Sequence, residues 1–387
     1  MAMSKLVYLD HSATTPVAPE VLDAMAVTWS ETYGNPSSLH SAGRAAKRLL
    51  EESRESIASS LGVRHDEIVF TSGATEADNL ALIGASRARA ARGGHIVASN
   101  IEHHAVLHAL DALRREGVES TLVEVDEFGR VDPAAVAAAL RPDTFLVSIL
   151  AGSNEVGTLQ PIEEIGALCQ KRGVLFHTDA VQALGKVSLP LDGVSLLSAS
   201  AHKLHGPKGI GFLWIRKGTR LAPLIHGGGH ERGVRSGTEN VPGAVGFAAA
   251  LRLAFAEKDQ VVPRMVRLRG RLLREVLQIP GTRLNGHPSE SLPHIANFSF
   301  AALEGESLIM RLDEAGIAAS TGSACSSPNL EPSHVLLALR VPISMAHGSL
   351  RISTGRQTTD EDIDHLLEVL PHAVSELRAM SPFKVGE

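Results

Sequence analysis

Short apolar runs alternate with longer helix-patterned segments through the first two thirds of this chain, and that alternation leaves few folds open. Ile68-Val-Phe70 precedes a glycine-containing turn and the helical stretch Glu76 to Ala90. His95 to Ser99 is followed by Val106 to Arg115, and Thr144 to Leu150 by Ile162 to Arg172. Gly173-Val-Leu-Phe176, Val194 to Leu197 and Gly211 to Ile215 continue the series. Strands that are apolar throughout are buried on both faces, so the pattern predicts an α/β layer built on a mostly parallel sheet. Ligands of such sheets bind beyond the carboxyl ends of the strands. Polar motifs at those ends therefore carry the functional reading.

The last third reads as a smaller α/β C-terminal domain. A helical connector spans Pro242 to Lys258, then a charged helix covers Val262 to Gln278. Strand-like Ala296 to Phe300, a helix at Gly305 to Ala315, a Ser/Gly-rich loop and a strand at Leu350 to Ser353 follow. The expected division is a large domain over 15–258 and a small one over 1–14 with 259–387. At 387 residues the chain is long enough for both. A net charge of −6 argues against nucleic acid or an anionic membrane as the main partner. The N-terminus has no apolar h-region, no segment is long enough to span a bilayer, and two cysteines cannot make a disulfide framework. A reducing, cytoplasmic location is expected.

Three strand ends carry candidate site residues. Thr71-Ser-Gly-Ala-Thr-Glu76 follows the first strand, where Gly73 and a helix starting near Thr75 offer a nest of backbone N–H groups to a phosphate. The alternative is an ordinary cap, with Thr71 or Thr75 serving those amides. His177-Thr-Asp-Ala-Val-Gln182 places Asp179 at a buried strand end, costly unless paired. The protonated pyridine nitrogen of pyridoxal phosphate is one such partner; a helix N-cap role is the alternative. Ile101-Glu-His-His-Ala105 places His103 where it could stack on a ring or move a proton near neutral pH. A plain capping role for His103, or His104 in its place, stays open.

Ser198-Ala-Ser-Ala-His-Lys-Leu-His-Gly-Pro-Lys-Gly209 follows a further strand and delivers Lys203. Desolvation at a cleft mouth would free its amine for Schiff-base chemistry, against the alternative of a surface lysine in a Gly-rich turn. The loop His226 to Asn240 is too glycine-rich to pack as core and rich in donors for an anion, and no metal pattern fixes its histidines. Cys325 lies in the polar stretch Ser320 to Pro332 and reads as a reactive thiol, whereas Cys169 fits a buried helix face. Arg351 points away from the apolar side of its strand, as a clamp for a carboxylate or a partner in a surface ion pair.

With these residues in place, the chain resembles the cysteine desulfurases of the NifS/IscS type, within the fold-type I pyridoxal phosphate enzymes. Tyr8-Leu-Asp-His-Ser-Ala-Thr-Thr-Pro16, Gly34-Asn-Pro-Ser-Ser38, Thr71 to Glu76, Asn154-Glu155, Asp179 to Gln182, His202-Lys203, Arg235 to Thr238 and Ser323-Ala-Cys325 match in order. The resemblance implies a seven-stranded-type sheet and a large and a small domain. It implies that Lys203 holds the cofactor and carries the Cα proton, that Asp179 pairs with the ring nitrogen, and that Gln182 bonds the ring hydroxyl. His103 would stack on the ring as acid/base. Ala74, Thr75, Ser200 and His202 would hold the phosphate, with Thr238 reaching across from a second subunit of a homodimer. Asn154 and Arg351 would hold the substrate carboxylate, with Asn154 also beside the cofactor. Cys325 would take the sulfur as a persulfide, turning L-cysteine into L-alanine and passing sulfur to an acceptor such as an iron–sulfur scaffold. A selenocysteine lyase or a related class V aminotransferase is the alternative. Ala201 and His205 depart from glycine and tyrosine in many relatives. The chain stops soon after Phe383, short of the tail some relatives use to dock the scaffold, which leaves that partner open.

Overall fold

The computed structural model describes residues 6–89, 93–322 and 332–382. In chain order, β1 is Val7–Tyr8, β2 Ile68–Thr71, β3 His95–Ser99, β4 Glu119–Val123, β5 Thr144–Ser148 and β6 Leu175–Asp179. They are followed by β7 Leu196–Ser200, β8 Gly211–Ile215, β9 Thr282–Asn285, β10 Ile295–Phe300, β11 Ile317–Ala318 and β12 Ser349–Ser353. Seven of them form the central sheet in the order β2-β8-β7-β6-β5-β3-β4. β8 alone runs against the others, pairing antiparallel with β2 and β7, while β7, β6, β5, β3 and β4 pair parallel. This is the expected mostly parallel sheet.

Period-two alternation sorts the strand residues onto two buried faces. Val69, Ile96, Leu146, Leu196 and Leu213 meet Leu80 and Ala81 of helix Ala74–Arg87 and Val106 and Leu110 of helix His104–Arg115. Phe70, Val97, Val147, Leu197 and Phe212 meet the other layer, which includes Leu50 and Ile57 of helix Ser41–Leu61 and Phe247 of helix Val241–Ala256. Helix Val241–Ala256 is more than a connector. It is apolar on nearly every side, packs against helices Ser41–Leu61 and Pro19–Ser30, and stacks Phe247 on Phe212 at 5.1 Å. A second difference lies between β6 and β7, where residues 180–195 cross over as turns without a helix.

The smaller unit is a three-stranded antiparallel sheet, β12-β10-β9, with the parallel pair β1–β11 beside it. Its core joins Val7 and Leu9 to Phe298, Phe300, Leu350 and Ile352, and to Leu366 of helix Asp360–Met380. Leu292, Ile295, Val335 and Leu336 instead pack into the larger core.

One buried ion pair ties a loop to the large sheet. Arg54 Nη1 and Nη2 each donate to Glu231 at 2.8 Å, and Nη1 also donates to the Ile68 carbonyl at 2.7 Å. Glu231 accepts in turn from the Phe70 amide at 3.0 Å. Both side chains are 2% exposed. The glycine-rich loop therefore does enter the core, through its one acidic anchor, and Glu231 adopts a φ of 46° to do so. Removing one member leaves the other charged and buried, which costs about 3–5 kcal/mol, against at most ~1 kcal/mol for an exposed pair. Arg54→Met should therefore lower the urea midpoint of unfolding sharply. Arg48→Met, which breaks the exposed Arg48–Glu52 pair, should leave it nearly unchanged.

Candidate active site

The carboxyl ends of β2, β3, β5, β6 and β7 open on one cleft of about 640 Å³, also lined by Ser12 to Thr14, Gly322, His334 and Arg351. That volume suits a cofactor with a small substrate.

At the end of β2, helix Ala74–Arg87 starts with Gly73 as its N-cap and without a side-chain cap. Thr71 does not serve it: its hydroxyl donates to the Gly73 carbonyl at 2.9 Å. Glu76 accepts from the Ser72 amide at 2.7 Å and pairs with Arg235 at 2.8 Å. The cap alternative is thus absent, and the helix start with Ala74 and Thr75 lines the cleft, as an anion site requires. A Cβ on Gly211 would stand 2.6 Å from the Gly73 carbonyl carbon, so only glycine lets this turn lie against β8.

After β3, His103 takes the capping role and also faces the cleft. Its Nδ1 accepts from the Ala105 amide at 3.1 Å, capping helix His104–Arg115, and its ring lines the cleft. Burial holds it below the usual histidine range, with Asp179 opposing and Lys203 adding to the shift. His104 lines the cleft as well, and its ring sits 4.8 Å from that of His334 and 5.0 Å from that of His108.

Asp179 ends β6. Its Oδ1 accepts from the Val181 amide at 2.9 Å, so it caps the following turn while facing the cleft. Burial raises its carboxyl, and His103 and Lys203 pull it back. Gln182 donates to the Ser12 carbonyl at 2.9 Å and lies 3.2 Å from His294 Nε2. β7 ends at Ser200 and leads through a tight turn to Lys203, whose Nζ donates to the carbonyls of Ser12 at 2.6 Å and Ala13 at 2.7 Å. Lys203 is therefore a cleft lysine. Beside it, His202 Nδ1 lies 3.1 Å from the Thr14 hydroxyl. Lys186, buried behind, donates to the Lys203 carbonyl at 3.1 Å.

Arg351 sits on β12 with Leu350 and Ile352 in the core to either side. Its side chain is buried and paired with the half-buried Asp10: Nη2 donates to Asp10 at 2.8 Å and Nη1 to the Asn154 carbonyl at 2.9 Å. Asn154 lines the cleft too. Of the other expected residues, Thr238 is exposed on its loop and is not among this chain's cleft-lining residues. Cys325 lies outside the described residues, and Gly322 and His334 on either side of them line the cleft. Cys169 is fully buried, and its thiol is pushed up to about 12.

Three buried acidic or basic groups escaped the sequence reading. Glu102 accepts from Ser99 Oγ at 2.5 Å and from the Leu150 amide at 3.1 Å, and burial pushes its carboxyl up to about 8. Asp78, raised well above the carboxylate range by burial and by Asp179, faces His177 at 3.5 Å. Lys186 is pushed down to about 7. Single charged letters in apolar surroundings carry no periodic signal, so only position in the fold exposes them.

The residues fit a phosphorylated, cationic heteroaromatic ring. The uncapped helix start suits its phosphate and Asp179 its ring nitrogen. Lys203 supplies an amine, and Arg351 Nε, buried without a partner among the described residues, is a donor for a carboxylate. The family model described as Aminotransferase class-V matches residues 7–366. The cysteine desulfurase IscS of Dictyoglomus turgidum is 49% identical over 385 residues, covering 99% of this chain and 98% of that protein. That of Methanosarcina thermophila is 49% identical over 386 residues, covering 99% and 96%. A solved structure described as a NifS-like protein superposes with a TM-score of 0.91 at 40% identity, over 96% of this chain and 100% of the other.

Glu102 yields a pH test. Burial pushes the Glu102 carboxyl up to about 8 in the fold, whereas an exposed glutamate of the unfolded chain ionises near 4.5. The folded state binds the proton more tightly in that window, so this group's contribution to stability falls as pH rises through it. Glu102→Gln should therefore gain stability over wild type as pH goes from 4.5 to 8 and show no gain at lower pH, as read by urea unfolding. A difference independent of pH would mean that Glu102 is ionised in the fold.

Proposed function

The chain belongs to the aminotransferase class-V family, and on that premise we propose how its cleft residues divide the work of a pyridoxal-phosphate-dependent cysteine desulfurase. The overall reaction takes L-cysteine to L-alanine and leaves the sulfur on the protein. One observation carries the residue assignment: the uncapped helix start, Asp179, Lys203 and Arg351 line the same cleft.

Pyridoxal phosphate supplies an electron sink for the bonds broken at the substrate's Cα and beyond. The amides at Ala74 and Thr75, with Ser200 and His202, hold its phosphate, and Thr238 joins them from a second subunit of a homodimer. Asp179 keeps the ring nitrogen protonated; a buried carboxylate gains a paired charge in doing so. Gln182 bonds the ring hydroxyl, and His103 stacks on the ring. Lys203 would hold the cofactor through its amine, and the same amine would carry the substrate's Cα proton. His103, held below the usual histidine range by burial and with its Nδ1 lone pair taken by the Ala105 amide, would offer Nε2–H as a proton donor.

Arg351 and Asn154 hold the substrate's carboxylate. The Cys325 thiolate attacks the substrate sulfur. A new S–S bond forms, the C–S bond breaks with its electron pair left on the carbon side, and a proton completes alanine. The persulfide then passes its outer sulfur to an acceptor protein, for which an iron–sulfur scaffold is our proposal. No helix among the described residues is long and apolar enough to cross a membrane, and we place the enzyme in the cytoplasm.

The test compares purified wild type, Lys203→Ala and Cys325→Ala given L-cysteine and a thiol reductant. Wild type should release alanine and sulfide in equal amounts. Cys325→Ala should keep the cofactor's absorbance band and lose sulfide release. Lys203→Ala should lose the cofactor's usual band and fall by roughly 10²-fold or more in rate, as removal of a proton-transfer group predicts. A keto acid without sulfide from wild type would overturn the assignment.

A further inference from the structure

The surroundings of Arg351 assign a task to a residue that the division of labour above leaves out. A guanidinium carries five N–H donors in a rigid plane. On Arg351, Nη1 faces two carbonyls, Asn154 at 2.9 Å and Gly322 at 3.5 Å. Nη2 donates to Asp10 Oδ1 at 2.8 Å. Nε is buried and has no partner among the described residues. The side chain is 3% exposed, so bulk water does not satisfy that donor.

Asp10 cannot drift from this place. Its neighbours ladder onto β12, with Ser353 N donating to the Leu9 carbonyl at 2.7 Å and His11 N to the Ser353 carbonyl at 3.3 Å. The Asp10 carbonyl accepts from the Tyr8 hydroxyl at 3.2 Å. On the other side of β12, Arg351 is in register with Asn297 of β10. The guanidinium is thus mounted on a paired strand and the carboxylate on a segment bridged to that strand at Ser353.

We propose that Asp10 is a positioning residue for substrate recognition: its carboxylate holds Nη2 of Arg351 so that the guanidinium turns its Nε edge to the substrate's carboxylate. Two N–H groups then remain for the ligand, one on Nε and one on Nη2, the spacing that a carboxylate matches with its two oxygens. Nη1 is held back by the two carbonyls and cannot compete for the ligand. Asp10 itself touches neither substrate nor cofactor. Its charge also balances Arg351 beneath the cleft, so the clamp stays in place between turnovers. The proposal rests on the reading that Arg351 receives the substrate carboxylate.

The experiment isolates the carboxylate. Holoenzymes are titrated with L-alanine and with ethylamine, which share the amine but differ in the carboxylate, and the shift of the cofactor's absorbance band reports binding of each. The ratio of the two apparent dissociation constants measures recognition of the carboxylate alone. Wild type should favour L-alanine strongly. Asp10→Asn should cut that ratio about tenfold or more, the scale of a lost charge-assisted hydrogen bond, with the ethylamine constant unchanged. Asp10→Glu should restore part of it. Asp10→Ser, smaller and uncharged, must lose the ratio as well and serves if the asparagine variant does not fold. A merely structural role would weaken both ligands alike. A wild-type ratio in the uncharged variants, while Arg351→Lys loses it, overturns the role of Asp10. A wild-type ratio in Arg351→Lys too overturns the assignment of Arg351, and the proposal with it.

Discussion

A single extended segment, from Val7 to Ala18, holds the structure together. Val7 and Leu9 belong to the smaller core, and Ala18 packs with Val21 and Ala250 against the helices of the larger unit. Between these anchors the backbone offers its carbonyls to the site: Ser12 and Ala13 to Lys203, Ser12 also to Gln182. Thr15 bonds the His202 carbonyl at 2.8 Å and the His205 amide at 2.7 Å. An unpaired backbone carbonyl in such a place would be costly. Lys203 and Gln182, to which we assign roles at the cofactor, are also donors to this strap.

The cleft that results is rich in buried ionisable groups. Burial moves Glu102 up to about 8, Glu155 up to about 7, Lys186 down to about 7 and His202 down to about 4. All four shifts favour the uncharged form, as desolvation demands. Ion pairs stand beside these groups, Arg351 with Asp10 and, further away, Arg54 with Glu231. In so low a dielectric a fixed charge acts on a ligand far more strongly than it would in water, which is how such clefts discriminate and catalyse.

Much of this was legible in the sequence, and the gaps have physical causes. Apolar runs such as Thr144 to Leu150 announce themselves because a doubly covered strand has no polar side. Lys203, Asp179 and Thr75 stood out because polar residues abruptly follow such runs. Helix Ser41–Leu61 went unread although Ala46, Leu50 and Ile57 are buried at helical spacing; Arg54 on the same face breaks the apolar stripe, and its partner lies 177 residues away. Glu231 was hidden for the same reason, as a charged letter in a glycine-rich run. The short strands β1 and β11 exist only through their pairing with one another. Asp10 meets Arg351 across nearly the whole chain, a contact no local pattern records.

That last contact also orders events during synthesis. Lys203 finds its carbonyl partners at a separation of 190 and 191 residues, but Asp10 must wait for a partner 341 positions downstream. A nascent chain can therefore assemble the lysine turn, the uncapped helix start and Asp179 while β12 is still unmade. Ser12 to Thr15 can dock on the lysine turn early, whereas Asp10 stays without its Arg351 partner until the last strand has emerged. Closure of so long a loop is slow relative to local contacts, so this one contact of the amino-terminal segment forms late although the segment is made first. A chain cut short before β12 would have Lys203 at the cleft and lack Arg351. On our reading of Arg351, substrate selection belongs to the finished polypeptide alone.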